Sequence, residues 1–239
     1  MAQINVDIKP RGIASAYVEA PFDEGKEALA EQGYKIISLE ENAKLRMQEG
    51  KDTYVSRNGN WVKEGVIYVL NKGIFLAKNS PIMADAKKAT DCHRKNQEFY
   101  LTNEQVEQAL ADSVELNVES IPTNRFADDK ITVYAFGDSA KEYGEFLKEA
   151  GINEMPVYLA NIGEKPFARQ MWLGDLGNWS GLSGDGRYLD CSGRVRGVRE
   201  SAEGAAKNFE AYTPAQIAKA LKSKGLSGIE NILTEALRQ

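Results

Sequence analysis

Lys, Glu, Gln and Met are all absent from one stretch of this chain, Trp172 to Arg199, WLGDLGNWSGLSGDGRYLDCSGRVRGVR. The other 211 residues hold 19 Lys, 23 Glu and 9 Gln, a frequency that would put about seven of them into 28 positions. Elsewhere the scarcities are of other kinds. His93 is the only histidine, and Cys92 and Cys191 are the only cysteines. Two thiols far apart make no disulfide framework, and reduced thiols of a cytosolic type are expected. One His and two Cys cannot close a four-ligand zinc site without carboxylates. Cys92 and His93 are neighbours on a predicted helix, so they point apart, one to the core and one to the surface. No apolar run approaches the ~20 residues that span a bilayer, and MAQINVDIKP lacks the basic-then-apolar order of a signal peptide. Basic charge is also short. A net charge of −5 argues against a generic nucleic-acid binder and against docking on anionic lipid.

What is present reads as α+β. Asp23 caps a predicted helix over 24–32, closed by Gly33. YKIIS at 34–38 is a strand candidate, and 39–48 reads as helix ending at Gly50. Asn58-Gly59 between two β-rich arms predicts a type I′ hairpin. VIYVL (66–70), a turn at 71–73 and IFLA (74–77) read as paired strands. Helices are predicted over 81–99 and after a Thr102/Gln105 capping box. KITVYAF (130–136) reads as strand. A helix to Ala150 follows, opened by a Ser139/Glu142 capping box and stopped by Gly151. PVYLANI (156–162) reads as strand, and two amphipathic helices close the chain after Thr213 and Ser227. Strands, then helices, then strands favour α+β over a parallel βαβ fold.

The window at 172–199 holds 7 of the 21 Gly, 4 of the 11 Arg and 2 of the 3 Trp. A phosphate loop would need G-x-x-x-x-G-K-[ST] or G-x-G-x-x-G, and neither fits. Asp175, Asn178, Ser183, Asp185 and Asp190 offer oxygens, but an EF-hand loop ends in Glu and none is here. Arg187, Arg194, Arg196 and Arg199 with Trp172, Trp179 and Tyr188 match the basic-plus-aromatic recipe for nucleic acid. Three Asp offset three of those Arg, and ion pairs that hold a loop together are the simpler reading. The composition matches a paratope best: Tyr, Ser, Gly and Asn with Trp and Arg anchors, and few long flexible side chains.

The segment PFARQMWLGDLGNWSGLSGDGRYLDCSGRVRGVRESAEG (166–204) resembles the variable region of proteins diversified by diversity-generating retroelements. The archaeal and archaeal-virus members, with a C-type-lectin fold of the formylglycine-generating-enzyme type, are the most similar. Arg169-Gln170-x-Trp172, the spaced Leu176, Ser180, Arg187 and Leu189, and the closing RVRGVR carry the likeness. IPTNRF (121–126) and YAFGDSAKEYGEFLKEAGI (134–152) are similar to segments that precede such regions. The likeness is good over 120–204 and weaker over 60–120, and none is drawn for 1–60. It implies a C-type-lectin-like domain at 61–205, an N-terminal extension at 1–60 and a helical tail at 206–239.

The resemblance also explains the missing residues. Substitution at template adenines turns AAC or AAT into any codon ending in C or T, and such codons cannot encode Lys, Glu, Gln, Met or Trp. Asp175, Gly177, Asn178, Gly181, Ser183, Asp185, Gly186, Tyr188, Asp190, Cys191, Ser192 and Gly193 are then candidate diversified, ligand-facing positions. Trp172, Leu176, Trp179, Ser180, Arg187, Leu189, Arg194, Val195, Arg196 and Gly197 are candidate scaffold. The implied protein is a non-enzymatic binder with no cofactor and no metal. Its ligand would be a protein or cell-surface molecule that varies between gene copies, not nucleic acid, with no membrane insertion. The alternatives are an enzyme or regulator with a Gly-rich active-site loop, or an Arg-mediated nucleic-acid binder. One prediction concerns DNA. A near-copy of the segment encoding 172–199 should lie beside a reverse-transcriptase gene, with mismatches confined to adenines of the copy. Sequencing the flanks checks this, and Trp172 and Trp179 should be invariant between the copies.

Overall fold

A computed structural model describes residues 4–7, 14–177, 180–186, 188–191 and 193–199. Among them the strands are β1 (Ile4–Asp7), β2 (Ala14–Ala20), β3 (Lys35–Ile36), β4 (Asn60–Val69), β5 (Gly73–Ala77), β6 (Phe99–Tyr100), β7 (Ser113–Glu115), β8 (Ser120–Pro122), β9 (Glu154–Tyr158), β10 (Phe167–Leu173), β11 (Leu182–Ser183) and β12 (Gly193–Arg199). The helices are α1 (Phe22–Glu31), α2 (Leu39–Glu49), α3 (Tyr54–Arg57), α4 (Pro81–Ala84), α5 (Ala86–Arg94), α6 (Asn103–Ala111), α7 (Lys130–Phe136) and α8 (Ala140–Glu149). The α+β expectation holds. The two C-terminal helices expected after Thr213 and Ser227 lie outside the described residues.

The strand order is β1-β2-β12-β4-β10-β11-β9-β8, with β5 also on β4. The long strand β4 is central and buried on both faces. Val62, Val66 and Tyr68 enter one apolar cluster with residues of α2, α7 and α8, while Trp61, Ile67 and Val69 enter a second with residues of α1, α5 and α6. The period of two that sends alternate side chains to opposite faces divides them. Both faces are covered, so β4 has no clean apolar-polar alternation.

The boundary expected at residue 60 is corrected by strand pairing. β2 runs antiparallel to β12 from Ala14↔Arg199 to Ala20↔Gly193, and residues 13–199 form one compact unit. The first sixty residues therefore supply a strand beside the window's own C-terminal strand. No extension precedes an independent domain at residue 61.

Local expectations fared unevenly. The strands at 66–70 and 74–77, the Thr102/Gln105 box and the positive-φ stop at Gly151 are all present. The Asn58-Gly59 hairpin is not. Asn58 is extended (φ −134°, ψ 129°), and Tyr54–Arg57 is a helical turn. Gly59 serves close approach instead, because a Cβ there would overlap the Trp172 indole. KITVYAF is helical despite its β-branched residues. Asp129 accepts from the amides of Ile131 (2.9 Å) and Thr132 (3.1 Å), and Ile131, Thr132, Ala135 and Phe136 are buried at helical spacing. Capping and packing override propensity there. The predicted 81–99 helix breaks at Asp85, whose carboxylate caps the second piece by accepting from Lys88 N. Neither Asp23 nor Ser139 makes the expected side-chain cap. The strand expected over 156–162 is shorter and begins earlier, at Glu154. No helix of the described residues is long and apolar enough to cross a membrane.

A buried polar set joins the layers. Ser38 and Glu41 form a capping box on α2, and the Leu39 amide donates to Glu64 Oε2 at 3.0 Å. Burial pushes the Glu64 carboxyl up to about 7, against the opposing pull of the Leu39 amide. A folded-state pKa above the unfolded one favours the protonated native form. The stability it contributes is present in acid and is lost as pH rises through about 7. Glu64→Gln should therefore flatten the pH dependence of stability. Urea midpoints at pH 5.5 and 8.5 should differ less in the variant than in the parent, with the gain at the alkaline end.

Candidate ligand-binding site

The window enters on β10 and leaves on β12, and between them its described residues include β11, which pairs with β10 and β9. Trp61 and Trp172 face each other across the β4–β10 ladder. Their rings lie 5.0 Å apart at 79°, an edge-to-face pair, and Phe22 meets Trp61 from below at 6.3 Å. These two indoles form part of the lining of a cleft of about 360 Å³. Among the described residues Tyr158 and seven window positions also line it: Gly181, Ser183, Asp185, Gly186, Tyr188, Cys191 and Gly193.

The path of the loop is held by bonds to its backbone. Arg46, buried under the loop, donates to the Gly174 carbonyl at 2.6 Å and to Tyr143 Oη at 3.2 Å. The Leu176 amide donates to the Ser56 carbonyl at 2.7 Å, and the Gly174 amide to the Gly181 carbonyl at 2.8 Å. Tyr68 Oη donates to the Gly184 carbonyl at 2.9 Å, while the Gly184 amide donates to Tyr158 O at 2.8 Å. Arg169 donates to the carbonyl of Asp185 and holds Glu98 through Nε (3.2 Å) and Nη2 (2.7 Å). The Phe22 amide closes the series on the Leu189 carbonyl at 2.7 Å. In each case the loop contributes a main-chain atom, which every residue type carries.

The side chains of the window then separate by exposure. Tyr188 is 65% exposed, Asp185 and Cys191 are exposed, and Ser183 is half-buried. Ser183 Oγ donates to Asp185 Oδ1 at 2.6 Å. Asp175 and Gly177 sit apart from the cleft, on a polar groove of about 530 Å³ with Lys51, Asp52 and Arg57. Asp190 is half-buried beside Cys191 and does not line the cleft. The oxygens considered as a calcium loop are thus divided between sites. Among the described residues no three His, Cys, Asp or Glu side chains are placed to hold a metal ion.

Of the scaffold candidates, Leu189, Val195 and Arg196 are buried. Trp172, Leu176, Ser180 and Arg194 are half-buried, and Gly197 is buried. Arg196 donates to Ser15 Oγ at 3.2 Å and stacks over Tyr17. Burial lowers its pKa to about 10, so it stays charged at neutral pH. Arg194 pairs with Glu19 (3.1 Å) and Tyr54 Oη (3.0 Å). The Tyr17 hydroxyl is pushed up to about 12, chiefly by its hydrogen bond with Tyr54, whose ring stacks on it at 4.6 Å. Asn178, Trp179, Arg187 and Ser192 lie outside the described residues.

Two glycines depart from the expectation that they can be diversified. A Cβ at Gly181 would stand 2.6 Å from the Pro156 carbonyl oxygen, and one at Gly193 would stand 2.7 Å from Trp61 Nε1. Both contribute backbone to the cleft wall, and a side chain at either has to displace a neighbour. Sequence reasoning missed Trp61, Tyr158 and Arg46. Trp61 sits in the stretch that read as a hairpin, and nothing local marks Tyr158 or Arg46, because strand pairing and packing bring them to the loop.

No family model matches the sequence, and no curated protein matches it. The chain is similar to a solved structure described as accommodation of massive sequence variation in Nanoarchaeota by the C-type lectin fold. The TM-score is 0.59 at 14% identity, covering 80% of this chain and 99% of that one. This chain has a C-type lectin fold. The fold expected from residues 166–204 is therefore present, although so low an identity speaks to fold alone. In this C-type lectin fold the cleft lies where the loops between β10 and β12 cross the ends of the sheet.

Stability should follow the division between grip and display. Arg169→Met removes a buried ion pair and the donor to the Asp185 carbonyl, and should cost about 3 kcal/mol. Tyr188→Ala should stay within about 0.5 kcal/mol. Chemical denaturation of the two variants beside the parent measures both.

Proposed function

We propose that this chain is a non-enzymatic binding protein whose cleft is a recognition surface diversified by a retroelement. One observation carries the reading. Five of the ten described cleft-lining residues, Ser183, Asp185, Gly186, Tyr188 and Cys191, are candidate diversified positions, and they stand beside two indoles and over a backbone gripped from outside the loop. Surface side chains that bear no fold contacts can be exchanged at little cost in stability. A preorganised backbone beneath them keeps the ordering cost of binding low. The similar structure, described by its accommodation of massive sequence variation, supports the same reading. Gly181 and Gly193 join the scaffold on the grounds of packing. Ser183, Asp185, Gly186, Tyr188 and Cys191 are the positions where variation would change the ligand, a protein or cell-surface molecule.

The nucleic-acid reading draws little support from the arginines. Arg196 is buried, Arg194 is paired with Glu19, and Arg199 lies 4.8 Å over the Tyr34 ring. The enzyme reading would need a nucleophile beside a base. Among the described lining residues the Ser183 hydroxyl donates to the Asp185 carboxylate at 2.6 Å, and the Cys191 thiol lies 3.9 Å from Asp190 Oδ1. His93, the sole histidine, lies on α5 and not among these lining residues.

A library with Ser183, Asp185, Gly186, Tyr188 and Cys191 replaced together by residues from codons ending in C or T tests the reading. Most members should remain folded, with melting temperatures within a few degrees of the parent, and selected members should capture different partners. General loss of folding across the library would count against a diversified surface.

A further inference from the structure

We propose that in this copy of the protein the cleft takes a cationic side chain, an arginine exposed on a partner protein. The proposal rests on the reading of the cleft as the recognition surface. Four of its lining residues are aromatic: Trp61, Trp172, Tyr158 and Tyr188. Asp185 is the one carboxylate among the described lining residues, and no Lys, Arg or His is found among those described residues. The hydrogen bond that Asp185 makes through its side chain is the short one from Ser183 Oγ, and no described cation pairs with it. The Arg169 guanidinium bonds the Asp185 backbone carbonyl and is neutralised by the two-point contact with Glu98. The cleft thus presents π surface and a carboxylate that no described cation pairs, in a space of about 360 Å³, enough for one long side chain.

Three ligand chemistries can be compared. An anion would meet Asp185 with no cation among the described lining residues to receive it. A neutral apolar group would fill the aromatic part and strip water from the carboxylate without an ion-pair partner. A cation on an apolar stem satisfies both, through attraction to the ring quadrupoles and a charge-assisted hydrogen bond to the carboxylate. Guanidinium fits better than ammonium, since its plane stacks on aromatic rings while its edge forks a carboxylate. The net charge of −5 adds long-range attraction of the same sign. The aromatic residues contributed from β4, β9 and β10 supply general affinity, and position 185 selects the sign of the ligand.

The test uses the full chain and two peptides, acetyl-Gly-Arg-Gly-amide and its citrulline counterpart, which is isosteric and neutral. Titrations are followed by the indole Nε1–H signals in a nitrogen–proton correlation spectrum. The arginine peptide should shift the Trp61 and Trp172 signals and bind roughly tenfold tighter than the citrulline peptide. Asp185→Asn should weaken the arginine peptide by about two- to fivefold and leave the citrulline peptide unchanged. Asp185 is exposed and its side chain touches little, so the variant should fold, and circular dichroism confirms that. Equal binding of the two peptides, indifference to Asp185→Asn, or shifts that bypass both indoles would overturn the proposal. The library of folded variants can succeed while this test fails, or the reverse, so failure of the cation site and failure of the diversified-surface reading are told apart.

Discussion

Arg169 is the point on which the loop turns. It leaves the sheet on β10, holds Glu98 with two nitrogens, and gives a third donor to the carbonyl of Asp185. A guanidinium provides five donors in a rigid plane, so one side chain can satisfy a carboxylate and a backbone oxygen at once. Glu98 compensates the buried charge, and this grip uses none of the loop's own side chains. Arg46 does the same at the entry to the loop, with Gly174 as its backbone partner, and Tyr68 does so at Gly184. If the loop were held through its side chains, each change of sequence would be a change of structure. Held through its carbonyls and amides, it keeps one path over many sequences.

The rigidity behind these grips comes from a sheet with two covered faces. β4 feeds both apolar clusters, and the helices on each side lock its register against β10. A one-residue slip of that ladder would send Trp61 and Tyr68 to opposite faces from those they now occupy. The aromatic pair at the base of the cleft and the grip at Gly184 would be lost together. Buried polar groups, Glu64 on the Leu39 amide and Gln170 on Ser80 Oγ, give the register a further specificity that apolar packing alone would not. The cost is a carboxyl whose ionisation opposes folding.

Much of this was legible in the sequence, and the failures have physical causes. The missing Lys, Glu, Gln and Met mark the window by composition alone. The exposed or half-buried places of Ser183, Asp185, Tyr188 and Cys191 agree with a displayed surface. The capping box at Thr102 and the stop at Gly151 were visible because caps depend on residues three or four apart. KITVYAF misled because its β-branched residues state a preference that Asp129 and four buried contacts outweigh. Asn58-Gly59 misled because glycine answers two needs, positive φ and close approach, and only the neighbour at Trp172 shows which applies. Gly181 and Gly193 looked interchangeable for the same reason.

The sequence by itself determined the class of the fold and the composition of the window. These depend on composition and on short-range spacing. Tertiary structure alone decided that residues 14–20 close the sheet against the window's last strand. It placed Trp61 opposite Trp172 and Arg46 beneath Gly174, and it split Asp175 from Asp185 into separate cavities. Strand pairing and burial join residues far apart along the chain, and no local pattern encodes which distant partner a strand or a buried arginine will meet.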